Sequence, residues 1–294
     1  MKYEVIEKLS SRYPVTLLLE VAEINRSGCY RWLNKKMVVP EKSKEDAKVI
    51  KCIEKLYIKH YGRYGVERMT AALLADYGLK FNHKKVYRLM SQNGYLAVIK
   101  VKKRYRKPGD PHPKKNVLVR NFSTSCPFDK MVTDVTEYKV DGKKIYISAV
   151  KDLHTGMLEG FSVKNYQTRE LIREYFKNIL DKSLPEGTII HSDQGTLYNN
   201  VIFQNELKDR NFIQSMSRKG TPIDNSPMES FFGCYKSEVL YNPNINIVSK
   251  TDFIRETWKY YRYYNNVRIQ KRLGYITPAE FKKQELVRIK NQKE

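Results

Sequence analysis

Three strand-forming runs in close succession constrain this chain more than any other feature. Met131–Val140 and Lys144–Leu153 are rich in β-branched and aromatic residues, and Asp141-Gly142 between them is a tight-hairpin dipeptide. Met157–Val163 reads as a third strand. The period then changes. Thr168 can cap a helix bearing Leu171, Ile172, Tyr175, Phe176, Ile179 and Leu180 at helical spacing. A buried strand follows at Thr188–His191, then a helix around 197–209 and a short strand near Phe212-Ile213. Further helices start at Ser226 and cover about 250–266. A strand meander followed by alternating helices and strands predicts an α/β domain over 126–282.

That element order is the order of the ribonuclease H-like fold, and it carries three carboxylates at informative places. Asp134 sits in the first strand, within Met-Val-Thr-Asp-Val-Thr-Glu. Asp193 follows Ile189-Ile190, at a strand's C-terminal end, where α/β sheets gather ligands. Glu229 lies early in a helix that opens Asn225-Ser226-Pro227-Met228. Such a set suits phosphodiester chemistry, because hard divalent ions take oxygen ligands and can activate one oxygen while stabilising another. Each residue also has a structural reading. Asp134 fits a solvent-facing strand position, as Asp152 does. Asp193 fits a turn cap in Asp-Gln-Gly. Glu229 fits a capping box with Ser226, with Pro227 at the first helical position.

Charge points to the partner. With 55 Lys and Arg against 32 Asp and Glu, the net charge is +23, and a polyanion relieves the self-repulsion. A merely solubilising surface is the alternative; clustering of the cations with aromatics favours nucleic acid. The four cysteines form no CxxC pair and no zinc spacing. No stretch approaches the length of an apolar membrane span, so a cytoplasmic protein is expected.

Upstream of the α/β region, residues 1–43 read as short helices, with a turn at Ile24–Gly28. Residues 44–98 carry three helical patterns. These are Ala47, Ile50, Ile53, Leu56 and Tyr57; then Val66, Met69, Leu73 and Leu74, stopped by Gly78; then Val86, Leu89 and Met90, capped by Asn82 and ended by Gly94. Three short-linked helices suit a small all-α helix-turn-helix module, with Arg63, Lys84, Lys85 and Arg88 as candidate DNA contacts. Residues 99–125 form a basic linker holding Pro108, Gly109, Pro111 and Pro113, in which Lys102, Lys103, Arg104 and Arg106 suit a DNA backbone. In 258–272, rings alternate with cations. Ile254, Trp258 and Tyr261 are expected to pack inward, leaving Arg262 and Arg268 for phosphate. Residues 283–294 read as a basic tail.

Several of these motifs together resemble a known family. They are His191-Ser192-Asp193-Gln194-Gly195 with Tyr198, Asn225 to Phe232, Tyr264-Asn265-Asn266 and Thr277-Pro278. Upstream, Gly62-Arg63-Tyr64-Gly65 and Asn82 to Met90 match as well. The chain resembles the downstream-frame (OrfB) transposases of bacterial insertion sequences, whose core is similar to that of the DDE transposases and retroviral integrases. The resemblance implies that Asp134, Asp193 and Glu229 are catalytic and hold two Mg²⁺ ions, with Mn²⁺ able to substitute. It implies that Lys236, seven positions after Glu229, holds a terminal DNA phosphate. The implied partners are element-end and target DNA, further copies of the chain, and an upstream-frame product joined by frameshifting. The likeness to retroviral integrases stops at the core, because their paired His and Cys zinc motif is missing. A hydrolytic nuclease of the same fold and a DNA-binding regulator with a silent core remain as rivals.

Overall fold

The sheet follows the strand pattern. In the computed structural model, β1 (Lys130–Val140), β2 (Lys143–Asp152) and β3 (Leu158–Lys164) form an antiparallel meander. Gly142 supplies the positive φ of 71° that the two-residue turn needs; Asp141 lies outside the described residues. β4 (Ile189–Ser192) pairs in parallel with β1, and β5 (Ile213–Met216) in parallel with β4, giving the order β3-β2-β1-β4-β5. Three antiparallel strands continued by two parallel ones make the core ribonuclease H-like. The structure describes residues 2–98, 115–140, 142–168, 184–292 and Leu171, Arg173, Phe176 and Ile179; of 33–44 it describes the backbone alone. Ile172, Tyr175 and Leu180 of the expected 168–180 helix therefore lie outside it, as do Lys102, Lys103, Arg104 and Arg106 of the linker.

Both faces of the sheet are covered where Met131–Thr133, Ile147–Asp152 and Ile190–Ser192 are buried, apolar and polar residues alike. One face packs Met131, Val150, Ile190 and Met216 against Phe176, Ile179, Tyr198 and two residues of α6 (Val201–Lys208), Phe203 and Leu207. Burying side chains of this kind contributes about 1.5–3 kcal/mol each. Strand alternation puts Asp134 on the opposite face. There α8 (Lys250–Asn266) stacks Phe253 on Tyr138 with ring centroids 5.2 Å apart, and Trp258 and Tyr261 close on Phe161 at 5.3 and 5.0 Å. The expected inward stripe of α8 needs a correction. Trp258 and Tyr261 are half-buried, and the interior stripe is Phe253, Thr257, Tyr260 and Tyr264, because the helix packs on more than the sheet. Asp152 is not solvent-facing either. It is fully buried and accepts from the N–H groups of Phe128, His154 and Thr155 and from the Thr155 hydroxyl.

The N-terminal compact unit spans 1–60 and 69–96 and is helical. α1 (Lys2–Leu9), α2 (Val15–Val21) and the start of α3 (Arg26–Lys59) enclose Ile6, Leu19 and Cys29. Asn25 caps α3 by accepting from the Ser27 N–H, and the helix runs on through the boundary expected at 43. The helix carries Pro40 in its interior, a residue with no backbone N–H to donate, while the Lys and Glu residues around it propagate a helix readily. α4 (Val66–Tyr77) ends at Gly78 (φ 66°), and Asn82 caps α5 (His83–Gln92), both as the sequence predicts. The buried set is Val49, Ile53 and Leu56 with Met69, Ala72 and Leu73 and Val86, Leu89 and Met90; Leu74 and Ala47 are exposed. Tyr61–Arg68 clusters with the other unit, which otherwise spans 97–294.

Candidate active site

Strand register explains how two aspartates meet. In the parallel ladder Lys130, Met131 and Val132 sit beside Ile189, Ile190 and His191. Two residues beyond the last pair come Asp134, still within β1, and Asp193, just past the end of β4, and both reach the same cavity. The third carboxylate arrives on α7 (Ser226–Tyr235). Asn225, the residue before that helix, donates from Nδ2 to the Thr133 carbonyl at 3.0 Å, fastening the helix start beside Asp134. Glu229 follows one helical turn later. The expected capping box at 226–229 does not form. A 3₁₀ turn over Pro222–Asn225 leads straight into α7, Asn225 makes no side-chain cap bond, and Glu229 lines a cavity instead. The box chemistry occurs at α9 (Pro278–Asn291), between Thr277 and Glu280.

Asp134, Asp193 and Glu229 thus border one cavity of about 470 Å³, which Gln194, Gly195, Asn225 and the 217–222 loop complete. Asp134 Oδ1 accepts the Val135 N–H at 2.8 Å, and Asp193 Oδ1 accepts the Gly195 N–H at 2.9 Å. A Cβ at Gly195 would come within 2.8 Å of Asp193 Oδ1, so only glycine admits this turn without shifting the carboxylate. Burial, then the charge of Asp193 and to a lesser degree that of Glu229, push the Asp134 carboxyl up to about 7; the Val135 N–H and Lys236 oppose the rise. Lys236, which opens the turn after α7, is therefore near enough for its charge to be felt at Asp134.

The donors suit a hard divalent ion: three carboxylates crowd their negative charge into one cavity, and a cation would relieve it. Among the described residues, no group of three His, Cys, Asp or Glu already stands as a metal-holding cluster. Two buried polar atoms on the cavity wall, Asn225 Oδ1 and Gln194 Nε2, have no hydrogen-bond partner in the protein. One acceptor and one donor left open beside the carboxylates suit an incoming hydroxyl and a phosphate oxygen.

Two wall residues were not singled out from sequence, Arg218 and Lys219, and two others, Gln194 and Asn225, were noted only as motif members without a role. Arg218 and Lys219 belong to a Ser-Arg-Lys-Gly-Thr-Pro loop whose strand-to-helix position was the available signal. His191 fixes the base of that loop. It is fully buried and hydrogen-bonds Ser215 Oγ at 2.8 Å through Nδ1 and Ser217 Oγ at 2.9 Å through Nε2. Burial pulls its pKa down to about 4. The neutral ring then supplies stability that is complete above pH ~6.5 and lost as pH falls through about 4. Imidazole NMR of His191 should show no titration between pH 8 and 5.5; a midpoint near 6.5 would contradict the assignment.

The other candidate DNA contacts divide. Lys84 and Arg262 are exposed. Lys85 and Arg88 both pair with Asp46, at 3.0 and 2.7 Å, inside the helical unit. Arg63 and Arg268 are corrections, because both are interior. Arg268 is 4 % exposed and bonds Glu238 with Nε and Nη2 at 2.9 and 2.7 Å. Arg63 is 7 % exposed, donates to the Glu238 carbonyl and lies over the Tyr61, Tyr260 and Tyr263 rings. A buried carboxylate needs cations, and these two are spent on it rather than on phosphate.

Comparison with known proteins agrees with this layout. Residues 44–103 match an HTH-like domain, and 124–222 and 229–286 match two integrase core domain models. The putative transposase InsK for insertion sequence element IS150 of Escherichia coli is 39% identical over 287 residues, covering 96% of this chain and 98% of that protein. The transposase for insertion sequence element IS904 of Lactococcus lactis is 30% identical, covering 79% and 92%. Among solved structures, the HTLV-2 integrase catalytic core in complex with magnesium is 19% identical, covers 53% of this chain and 97% of that one, and gives a TM-score of 0.39. No helix among the described residues is long and apolar enough to cross a membrane. With its helical module, its five-stranded core and a relative matched almost end to end, the chain belongs to the insertion-sequence transposase family, in which an HTH-like domain precedes an integrase core.

Proposed function

We propose that this protein is a Mg²⁺-dependent DDE transposase that cuts DNA at the ends of its insertion sequence and joins those ends to target DNA. The observation that carries the reading is the convergence of Asp134, Asp193 and Glu229, from three separate elements, on one cavity. These three side chains would hold two divalent ions, Mg²⁺ or Mn²⁺, with Asn225 Oδ1 available beside them. When bound, the ions supply activation of an attacking oxygen and charge neutralisation at the leaving one. The chain's own residues do the rest. Gln194 Nε2 and Lys219 of the 217–222 loop orient the scissile phosphate between carboxylates and loop. Lys236 holds the phosphate at the terminus. Cleavage leaves a 3′-hydroxyl at the element's end, and the same site presents that hydroxyl to a target phosphodiester. The helical module, with Lys84 and the less committed Lys85 and Arg88, would hold the element end. Several copies would assemble on DNA, with the upstream-frame product as a further partner, as a frameshift fusion.

Metal binding provides a test with a readout other than catalysis. Asp134 carries its proton up to about pH 7, so a cation entering the cavity must displace it. Raised in the native state, this carboxyl costs stability as pH climbs from about 4 to about 7. Mg²⁺ should therefore raise the melting temperature more at pH 8 than at pH 6, and calorimetry should register proton release near pH 6. Pairing Mg²⁺ titration with an end-nicking assay tests the whole reading: no Mg²⁺ binding at either pH, or nicking in EDTA, would reject it.

A further inference from the structure

The basic linker re-enters the described structure at Lys115, where its backbone carbonyl accepts the Met216 N–H at the end of β5. Ser215 Oγ accepts the N–H groups of Val117 and Leu118 at 3.0 and 2.9 Å. Val119 and Arg120 then adopt left-handed backbone, with φ 44° and 59°. A β-branched residue rarely sits there, so something must hold the turn. Two contacts do so locally. Asn116 Oδ1 accepts the Val119 N–H at 2.9 Å, and Arg120 Nε donates to Asp224 Oδ1 at 2.7 Å.

Asp224 is fully buried and also holds Arg218, a residue of the cavity wall. Arg218 bonds it three times, Nε to Oδ2 at 2.8 Å, Nη2 to Oδ1 at 2.9 Å and the backbone N–H to Oδ2 at 3.1 Å. Asn116 Nδ2 adds a bond to Oδ2 at 3.0 Å. Two guanidiniums on one carboxylate leave a unit of positive charge over, and about half of each cationic side chain is exposed. Arg218 borders the cavity that holds the three carboxylates. A guanidinium fixed along one edge by a carboxylate presents its other edge in a set direction, which suits a phosphate oxygen.

We propose that Arg218 grips a DNA backbone phosphate next to the scissile one, and that Asp224 is the positioning residue that ties this grip to the strained 118–121 turn. Seating of the linker and engagement of DNA at the carboxylates are then one coupled event, set by a single buried aspartate. This rests on the transposase reading above. It adds a phosphate-binding residue and a physical link between linker and catalytic loop.

The test uses the full chain and a fluorescent duplex cut from the ends of its own element. Anisotropy is read across a salt series, and KM and kcat are read in an end-nicking assay. Arg218→Gln is expected to weaken binding about tenfold, the worth of one charge-assisted hydrogen bond. It should flatten the log–log salt slope by about 0.9, one phosphate contact, and should raise KM more than it lowers kcat. Arg218→Lys should restore the slope but not the full affinity, because an ammonium cannot keep the two-point bond to Asp224. Arg120→Gln, on the linker arm, should weaken binding about threefold, and the double variant should bind no worse than Arg218→Gln alone. An unchanged slope in Arg218→Gln overturns the phosphate contact. Losses that multiply in the double variant overturn the coupling. If the wild-type chain never nicks DNA in Mg²⁺, the transposase reading itself fails; if it nicks normally and only the slope test fails, this inference falls alone.

Discussion

Asp193→Asn should bind element-end DNA as tightly as the wild type, or slightly more so, and lose cleavage and joining together by about 10³-fold or more. Removing one neutral oxyanion donor from an enzyme already costs about 10²–10³-fold, and a charged ligand shared by divalent ions should cost at least as much. The fold has little to lose. Asp193 borders the cavity and is exposed, and it accepts the Gly195 N–H, which an amide oxygen can also do. After burial, its charge is the next cause that pushes Asp134 up, so the variant should melt no lower than wild type, and the Asp134 pKa should fall part of the way toward the ordinary carboxylate range. Asp152→Asn is the contrast. That side chain accepts four hydrogen bonds at full burial, so the variant should melt lower without touching the chemistry. Gel-based joining assays with the two proteins decide the matter; joining that survives in Asp193→Asn would remove the catalytic assignment.

What the sequence reveals here depends on how local the cause is. The meander was legible because strand propensity and the Gly142 turn act within a few residues. Asn82 and Gly78 bound their helices for the same reason. Asp134, Asp193 and Glu229 were legible as candidates from their element positions. Their meeting was not, since it depends on the β1–β4 register and on Asn225 bonding Thr133, 92 residues away in sequence. Arg63 and Arg268 looked like surface cations because the carboxylate that buries Arg268 stands 30 residues from it, and the carbonyl that Arg63 bonds stands 175 away. Asp224 gave no local sign of its role, as Arg120 lies 104 residues upstream. The 226–229 box failed for a nearer cause: the 3₁₀ turn before α7 took up the helix start.

Glu238→Gln should produce the largest loss of stability in the core unit. Glu238 is 5 % exposed, bonded by Arg268 through two nitrogens, reached by Arg68 at 3.9 Å and by the Tyr260 hydroxyl at 3.1 Å. Burial works to raise its pKa, and Arg268, Arg68 and Arg63 together overcome that and hold it below the ordinary value. An amide there would leave Arg268 buried at 4 % exposure without its counter-charge. Breaking a buried pair on one side costs about 3–5 kcal/mol, which in a domain of this size lowers the melting temperature by roughly 10 °C. Replacing Glu238 and Arg268 together with apolar residues of similar volume should recover part of that loss, because no unpaired charge then remains. The pH dependence has the same origin. With the folded pKa depressed, the carboxylate's contribution is complete above pH ~4.5 and disappears as pH falls through the lower folded value. The consequence reaches the cavity, because Lys236 opens the same turn that carries Glu238 and its charge acts on Asp134. Glu238→Gln should therefore lower strand joining even at temperatures where the core remains folded. Thermal melts paired with joining assays at 25 °C test both halves, and a variant that melts with wild type and joins at the wild-type rate would show that the buried cluster neither holds the core nor positions Lys236.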